Sequence, residues 1–148
     1  MSGPQIDYAA VYRQLPIPVM LLTPEFAIAD VNMTFQQKTG RTREELLGRK
    51  VVDAFSEKQS DPAATGWRNG IASLNRVLIT GKPDAQEFQK ADLEEAGSPG
   101  QFARHFWSAV NGPVFGPDGS VVLIASVSED VTDRMSRFMS ALATDAEP

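Results

Sequence analysis

The sequence predicts an α+β domain, in which one antiparallel sheet of five strands carries its helices on one face. Three observations lead there. Two short strand-like runs near the N-terminus and three longer ones near the C-terminus are separated by a block of helical segments. Gly116-Pro117-Asp118-Gly119 joins the last two strands as a hairpin turn, because Gly and Asp accept the backbone angles such a turn requires. Trp67, Ile71, Leu74, Val77 and Leu78 fall on one face of the longest helix, between the two groups of strands.

Taken in order, Tyr8, Val11, Tyr12 and Leu15 recur at helical spacing and give a short helix over residues 5–15 one apolar face. Leu15-Pro16-Ile17-Pro18 stops it, since proline cannot continue a helix and biases its predecessor towards extended geometry. Val19-Met20-Leu21-Leu22, the turn at Thr23-Pro24-Glu25 and the run Phe26 to Val31 read as a β-hairpin. Ile28 and Val31 break strict alternation, which points to a bulge. Asn32 suits the N-cap of a short helix from Met33, and Gly40 its C-cap. Thr42-Arg43-Glu44-Glu45 is a capping box, followed by Leu46, Leu47 and a stop at Gly48.

Residues 51–66 mix Asp, Ser, Pro and Ala and are expected to form loops and short turns. The long helix ends at Gly81 and Pro83. Strands are expected over 87–93, 101–110 and 121–129, with a polar loop over 94–100. Met135, Phe138, Met139 and Leu142 form a last amphipathic helix, capped by Thr132 or Asp133, and a frayed tail follows from Thr144. The chain thus divides into a flanking helix over 1–15, a domain over 16–132, and a C-terminal helix and tail over 133–148.

Composition narrows the function classes. The 148 residues fit one domain, and 42% hydrophobic with 22% charged residues is the balance of a folded globular protein. Lys and Arg number 14 against 19 Asp and Glu, a net charge of −5. With no basic run, the electrostatic footprint of nucleic-acid or anionic-membrane binding is missing. The chain contains no cysteine, which excludes disulfides, thiolate metal sites, cysteine nucleophiles and photochemistry through a cysteinyl adduct. Met1 to Gln5 lacks the pattern of a signal peptide, and the apolar run Val121 to Ala125 is far short of the roughly 20 residues that span a bilayer. A cytoplasmic location is expected.

Catalytic signatures are also missing. There is no Gly-rich phosphate loop, no Gly-x-Ser-x-Gly elbow and no metal-ligand spacing of His, Asp and Glu. The acid pairs Glu44-Glu45 and Glu94-Glu95 are adjacent in sequence, so their side chains point apart. A non-enzymatic role is expected.

Five segments, in order, carry a family resemblance. Asp30-Val31-Asn32 with Phe35 resembles the second strand and first short helix of PAS domains. Glu45-Leu46-Leu47-Gly48-Arg49 is similar to the ELLGR segment of many of them. Ala72 to Leu78 with Thr80-Gly81-Lys82-Pro83 resembles their long helix and its exit. Phe106-Trp107-Ser108 with Asn111-Gly112-Pro113-Val114 is similar to the penultimate strand, and Glu129 to Arg134 to the Asp-x-Thr junction from which output helices leave. The resemblance covers about residues 15–134 and is nearest to the sensor inputs of bacterial histidine kinases in two-component signalling.

The resemblance implies a half-open barrel whose inner sheet face and long helix enclose a pocket. Ser108 and Val110, with Ser126 and Ser128 of the last strand, would face that pocket, and Phe35, Ile71, Leu74 and Leu78 would form its apolar wall. Small hydroxyls among apolar side chains suit a ligand held by a few oriented hydrogen bonds. Asp130 and Thr132 would cap the emerging C-terminal helix and transmit the bound state into it. Tyr8, Val11, Tyr12, Leu15 and an outward-facing Trp107 would form an interface, which makes a homodimer the expected assembly and a kinase output domain an expected signalling partner. No metal and no cofactor are expected. Haem would need an axial histidine, and His105 lies on a strand where the family places that ligand on a helix; flavin is not expected either. The alternatives are a ligand-free dimerisation module and a small α+β enzyme or carrier with a curved-sheet pocket.

Overall fold

The structure, a computed structural model, describes residues 2–55, 66–94 and 97–145, without the side chains of 66–67, 87–94 and 102–105. In chain order it contains α1 (Tyr8–Gln14), β1 (Val19–Leu22), β2 (Ile28–Val31), α2 (Met33–Thr39), α3 (Arg43–Leu46) and α4 (Val51–Ala54). Then follow α5 (Gly66–Thr80), β3 (Asp84–Glu94), β4 (Phe102–Phe115), β5 (Val121–Asp130) and α6 (Thr132–Asp145). The five strands form one sheet in the order β2-β1-β5-β4-β3, with each neighbouring pair antiparallel. The N-terminal hairpin therefore joins the C-terminal strands through β1 and β5, and the last strand lies at the centre.

Local chemistry explains most boundaries. In the first hairpin Leu21 pairs with Asp30 but Leu22 with Ile28, so Ala29 is the extra residue of the bulge that the broken alternation predicts. At the last hairpin the Gly116 N–H donates to the Ser120 carbonyl at 2.8 Å, Gly119 has φ 83°, and Asp118 Oδ1 accepts from the Ser120 N–H at 3.0 Å. Gly40 closes α2 with φ 69°, and Thr42 and Glu45 form both halves of the capping box on α3.

Two strands differ from expectation. β3 starts at Asp84, directly after Pro83, and β4 runs on to Phe115. Pairing between β3 and β4 reaches only Asn111, so Pro113 is paired with β5 but, among the described residues, has no strand on its other side, where a missing N–H is tolerated. Expectations for residues 56–65, 95–96 and 146–148 lie outside the described residues. Among the described residues no helix is long and apolar enough to cross a membrane.

Met20, Leu22, Ile28, Val31, Phe35, Leu46, Val51, Ala54, Leu74, Val77 and Ile124 form one buried cluster between the sheet and helices α2 to α5. The Phe35 and Phe55 rings meet edge to face at 5.8 Å.

Asn32 organises the N-terminal half of this core. It caps α2 as its residue type predicts, accepting from the Phe35 N–H at 2.9 Å, but it is also fully buried. The same Oδ1 accepts from the Val19 N–H at 3.0 Å. Its Nδ2 donates to the carbonyls of Ile17 at 2.9 Å and Tyr12 at 3.2 Å. One amide thus saturates two donors and two acceptors from α1, the Pro-rich turn, β1 and α2. Thr34 adds a hydroxyl bond to the Leu15 carbonyl at 2.6 Å. Asn32→Ala strands all four backbone groups and should lower stability by about 3 kcal/mol or more. Asn32→Asp, which keeps the acceptor but turns a carboxylate towards two carbonyls, should be no better than a partial rescue. Urea unfolding midpoints of the three proteins measure both effects.

Candidate functional site

The inner face of the sheet is defined where α5 crosses it. Asn111 of β4 is buried and its Nδ2 donates to Ser73 Oγ on α5 at 2.9 Å. Ser73 is itself fully buried and donates to Asp84 Oδ2 at the start of β3, at 2.6 Å. Arg76, one helical turn after Ser73, grips the same carboxylate with Nε at 2.9 Å and Nη2 at 2.8 Å. Helix and two strands are therefore joined by one polar chain, Asn111–Ser73–Asp84–Arg76. The paired Arg76 guanidinium, then the Ser73 hydroxyl, hold the Asp84 carboxyl down at about 2.

Strand register assigns the remaining inner-face positions. Asn111 pairs with Asp84 and Ser126, and Ala109 with Gln86 and Ser128. Directly paired residues share a face, and alternate residues do too. Ala109, Asn111, Gln86, Ser126 and Ser128 thus lie on the α5 side, together with Met20 of β1, which pairs with Ser126. Ser126 and Ser128 occupy the face the resemblance implies. Of the residues expected to form an apolar wall, Phe35 and Leu74 are buried in the core, with Ile71 and Leu78 packed against it.

The β4 face is the reverse of expectation. Ser108 and Val110 alternate with Ala109 and Asn111 and so point away from α5, with Val110 49% exposed. Trp107 alternates onto the inner face and is half-buried, so it is not an outward-facing interface residue. The reason is physical. Phe106 to Asn111 places apolar and polar residues on both faces, and a one-residue slip in reading exchanges every position. The anchor that decides is the Asn111–Ser73 bond. The residues missed in sequence are Gln86 and Asn111, two buried amides on the α5 side of adjacent strands. The side chain of His105 lies outside the described residues.

At the strand-to-helix junction, Asp130 Oδ1 accepts from the Thr132 N–H at 3.0 Å, the expected local cap. The Thr132 hydroxyl donates to that carboxylate as well, and it accepts from the Phe106 N–H of β4 at 2.9 Å. The Val131 N–H donates to the Phe106 carbonyl at 2.7 Å. Thr132 therefore stitches the helix start to β4 and is more than a cap. Arg134 pairs with Glu129 across the same junction.

The N-terminal helix divides its expected interface. Tyr12 and Leu15 are half-buried and their carbonyls are held by Asn32 and Thr34, so they face the domain itself. Burial first, and then the neighbouring Asp30 charge, push the Tyr12 phenol upwards. Tyr8 and Val11 stay exposed. Val11 and Leu15 border an open surface groove of about 350 Å³ with Ala10, Gln14 and Pro16. Among the described residues no cluster of His, Asp and Glu could hold a metal ion.

This geometry has relatives. The family model for the PAS fold matches residues 12–136. The chain belongs to the PAS family of sensory domains. It is 26% identical over 111 residues to blue-light-activated histidine kinase 1 of Erythrobacter litoralis, covering 74% of this chain and 27% of that protein. The chain thus spans about a quarter of that relative. Among solved structures, a PAS domain from Colwellia psychrerythraea superposes with a TM-score of 0.63 at 12% identity, over 85% of this chain and 95% of the other. A light-oxygen-voltage domain from work with a flavin analogue gives 0.62 at 13% identity, over 97% and 98%. At these identities the structural matches speak for the fold.

The Asp84 cluster predicts an acid-dependent stability. A carboxyl depressed to about 2 from 3.8 stabilises the fold fully above about pH 4, and that contribution is lost as the pH falls towards 2. Asp84→Asn should be less stable than the parent at neutral pH, with the gap closing between about pH 4 and 2. Chemical unfolding across that range reads the convergence.

Proposed function

We propose that this PAS domain is the input module of a histidine-kinase-type signalling protein, binding a small molecule on the inner face of its sheet and passing the bound state into α6. The observation that carries the reading is the Thr132 hydroxyl. β4 contributes Trp107, Ala109 and Asn111 to the inner face, and its Phe106 N–H is bonded to the first residue of α6. A ligand that shifts β4 therefore strains the bond that fixes the helix start, and two discrete arrangements of that junction would be the switch.

The flavin-analogue relative adds flavin to the occupants to be tested. With no cysteine in the chain, a flavin here could not be trapped as a cysteinyl adduct. Ser128 is half-buried opposite Ala109, so Ser128→Leu fills the inner face. Native mass spectrometry and an absorption spectrum of the purified protein should show a bound mass that Ser128→Leu removes, while circular dichroism stays unchanged. Thr132→Val keeps the shape without the hydroxyl. It should retain the bound mass but abolish any ligand-dependent change in hydrogen exchange at the start of α6. An unaltered exchange response would count against the junction as the route.

The second reading is a dimerisation module, favoured by the apolar surface away from α5. Val110 and Val114 on the outer sheet face, and Phe138, Met139 and Leu142 on α6, are all exposed. A second copy covering these residues would bury them in the way obligate interfaces do. Sedimentation velocity should give a dimer, and the double change Val110→Asp with Phe138→Glu should give a monomer of the same fold.

A further inference from the structure

Among the described residues, Phe26 is the one non-glycine residue with a positive φ, at 65°. A bulky side chain is strained there, where glycine enters freely. Two backbone bonds hold it. The Phe26 N–H donates to the Thr23 carbonyl at 2.9 Å, closing the turn of the first hairpin, and its carbonyl accepts from the Val51 N–H at 3.0 Å. The side chain packs against the core. Such strain persists only where the surroundings over-determine it. Part of that constraint comes from residues 48–55.

These residues lie along the outer edge of β2. The Gly48 N–H donates to the Ile28 carbonyl at 2.8 Å, the Ile28 N–H donates to the Arg49 carbonyl at 2.8 Å, and Ala27 bridges to Lys50. Lys50 Nζ donates to the Glu25 carbonyl at 2.6 Å. The segment thus covers the edge of the sheet without being one of its strands. It is also tied to itself: the Asp53 and Ala54 N–H groups both return to the Lys50 carbonyl, and Arg49 Nη2 donates to the Asp53 carbonyl at 3.0 Å. Val51 and Ala54 are buried, and the Phe55 ring meets Phe35. At its start Gly48 has φ 81°, and a β-carbon there would meet nothing within 4 Å.

We propose that residues 48–55 form a strap that swings away as one body about Gly48, driven by relief of the Phe26 backbone, while the rest of the fold stays intact. The proposal goes beyond the signalling reading and holds whatever the sheet binds. When the strap lifts, Phe26 loses the bond from Val51 that fixes its carbonyl and relaxes to a negative φ. The open state therefore recovers part of what the broken bonds cost. The sheet keeps its order, because β2 remains paired with β1. What opening uncovers is the Phe35 ring, against which Phe55 is seated. Segments held in this way open at free energies below that of global unfolding.

The chain has no cysteine, so one introduced thiol reports the exposure of one position. Val51→Cys places it on the strap and Val77→Cys on α5, both at fully buried sites. With an aromatic disulfide reagent in excess, the thiol at position 51 should react at least about tenfold faster than the thiol at position 77. Phe26→Gly and Phe26→Ala, each combined with Val51→Cys, both remove the ring, but only glycine removes the strain. The thiol should react about fivefold more slowly with glycine at position 26 than with alanine. Hydrogen exchange of the unaltered chain needs no substitution. There the Ile28 and Val51 amides should share one level of protection, weaker than that of the Asn32 amide, which is bonded to the Val19 carbonyl. Equal reactivity at positions 51 and 77 overturns the proposal, as does protection of Ile28 and Val51 equal to that of Asn32. Equal rates with glycine and alanine at position 26 also overturn it, because the strap then opens without any drive from Phe26.

Discussion

The N-terminal half of this domain depends on one buried amide. Asn32 bonds to Tyr12, Ile17, Val19 and Phe35, which belong to four different segments of the chain. Hydrophobic burial could bring α1, β1 and α2 together in several ways, because it has no direction. Four hydrogen bonds from a fully buried side chain admit one arrangement, since any slip strands a backbone group in the core. The docking angle of α1 and the entry of β1 into the sheet both follow. So does the division of the α1 surface into Tyr12 and Leu15 facing inwards and Tyr8 and Val11 facing out.

The C-terminal half repeats the device with different chemistry. Asn111, Ser73, Asp84 and Arg76 pin α5 to the adjoining ends of β3 and β4, and thereby set which side of the sheet is inner. The first amide works entirely within buried backbone; this chain runs from a buried amide out to a half-exposed ion pair. An exposed guanidinium contributes little by charge alone, so the buried Ser73 and Asn111 are the specifying members and Arg76 the neutralising one.

What could be read from sequence was whatever a single residue decides. Gly40, the Thr42–Glu45 box, the bulge before Val31 and the Gly116–Gly119 turn are local, and each is where its chemistry places it. The helical stripe of Ile71, Leu74, Val77 and Leu78 was legible because four positions repeat one period. The face of β4 was not, because Phe106 to Asn111 carries no clean alternation and the deciding contact joins residues 38 apart in sequence. Gln86 was missed for a related reason: the strand signal starts after Pro83 with small and polar residues, and only pairing with β4 reveals a strand there. Asn32 was legible as a cap but not as a hub, since three of its four partners precede it in the chain.

The position of β5 bears on how the protein comes into being. It is the last of the sheet's five strands in chain order, yet it lies between β1 and β4 in the middle of the sheet. During synthesis the N-terminal hairpin and the β3–β4 ribbon therefore exist as two separate pieces, each with an open edge that pairs indiscriminately with any extended chain. Only when residues 121–130 have emerged can the two pieces be zipped into one sheet, in a step dominated by contacts distant in sequence. Any break in the chain before Asp130 leaves both edges bare, so a shortened product would tend to aggregate before it could serve as a weaker version of the whole.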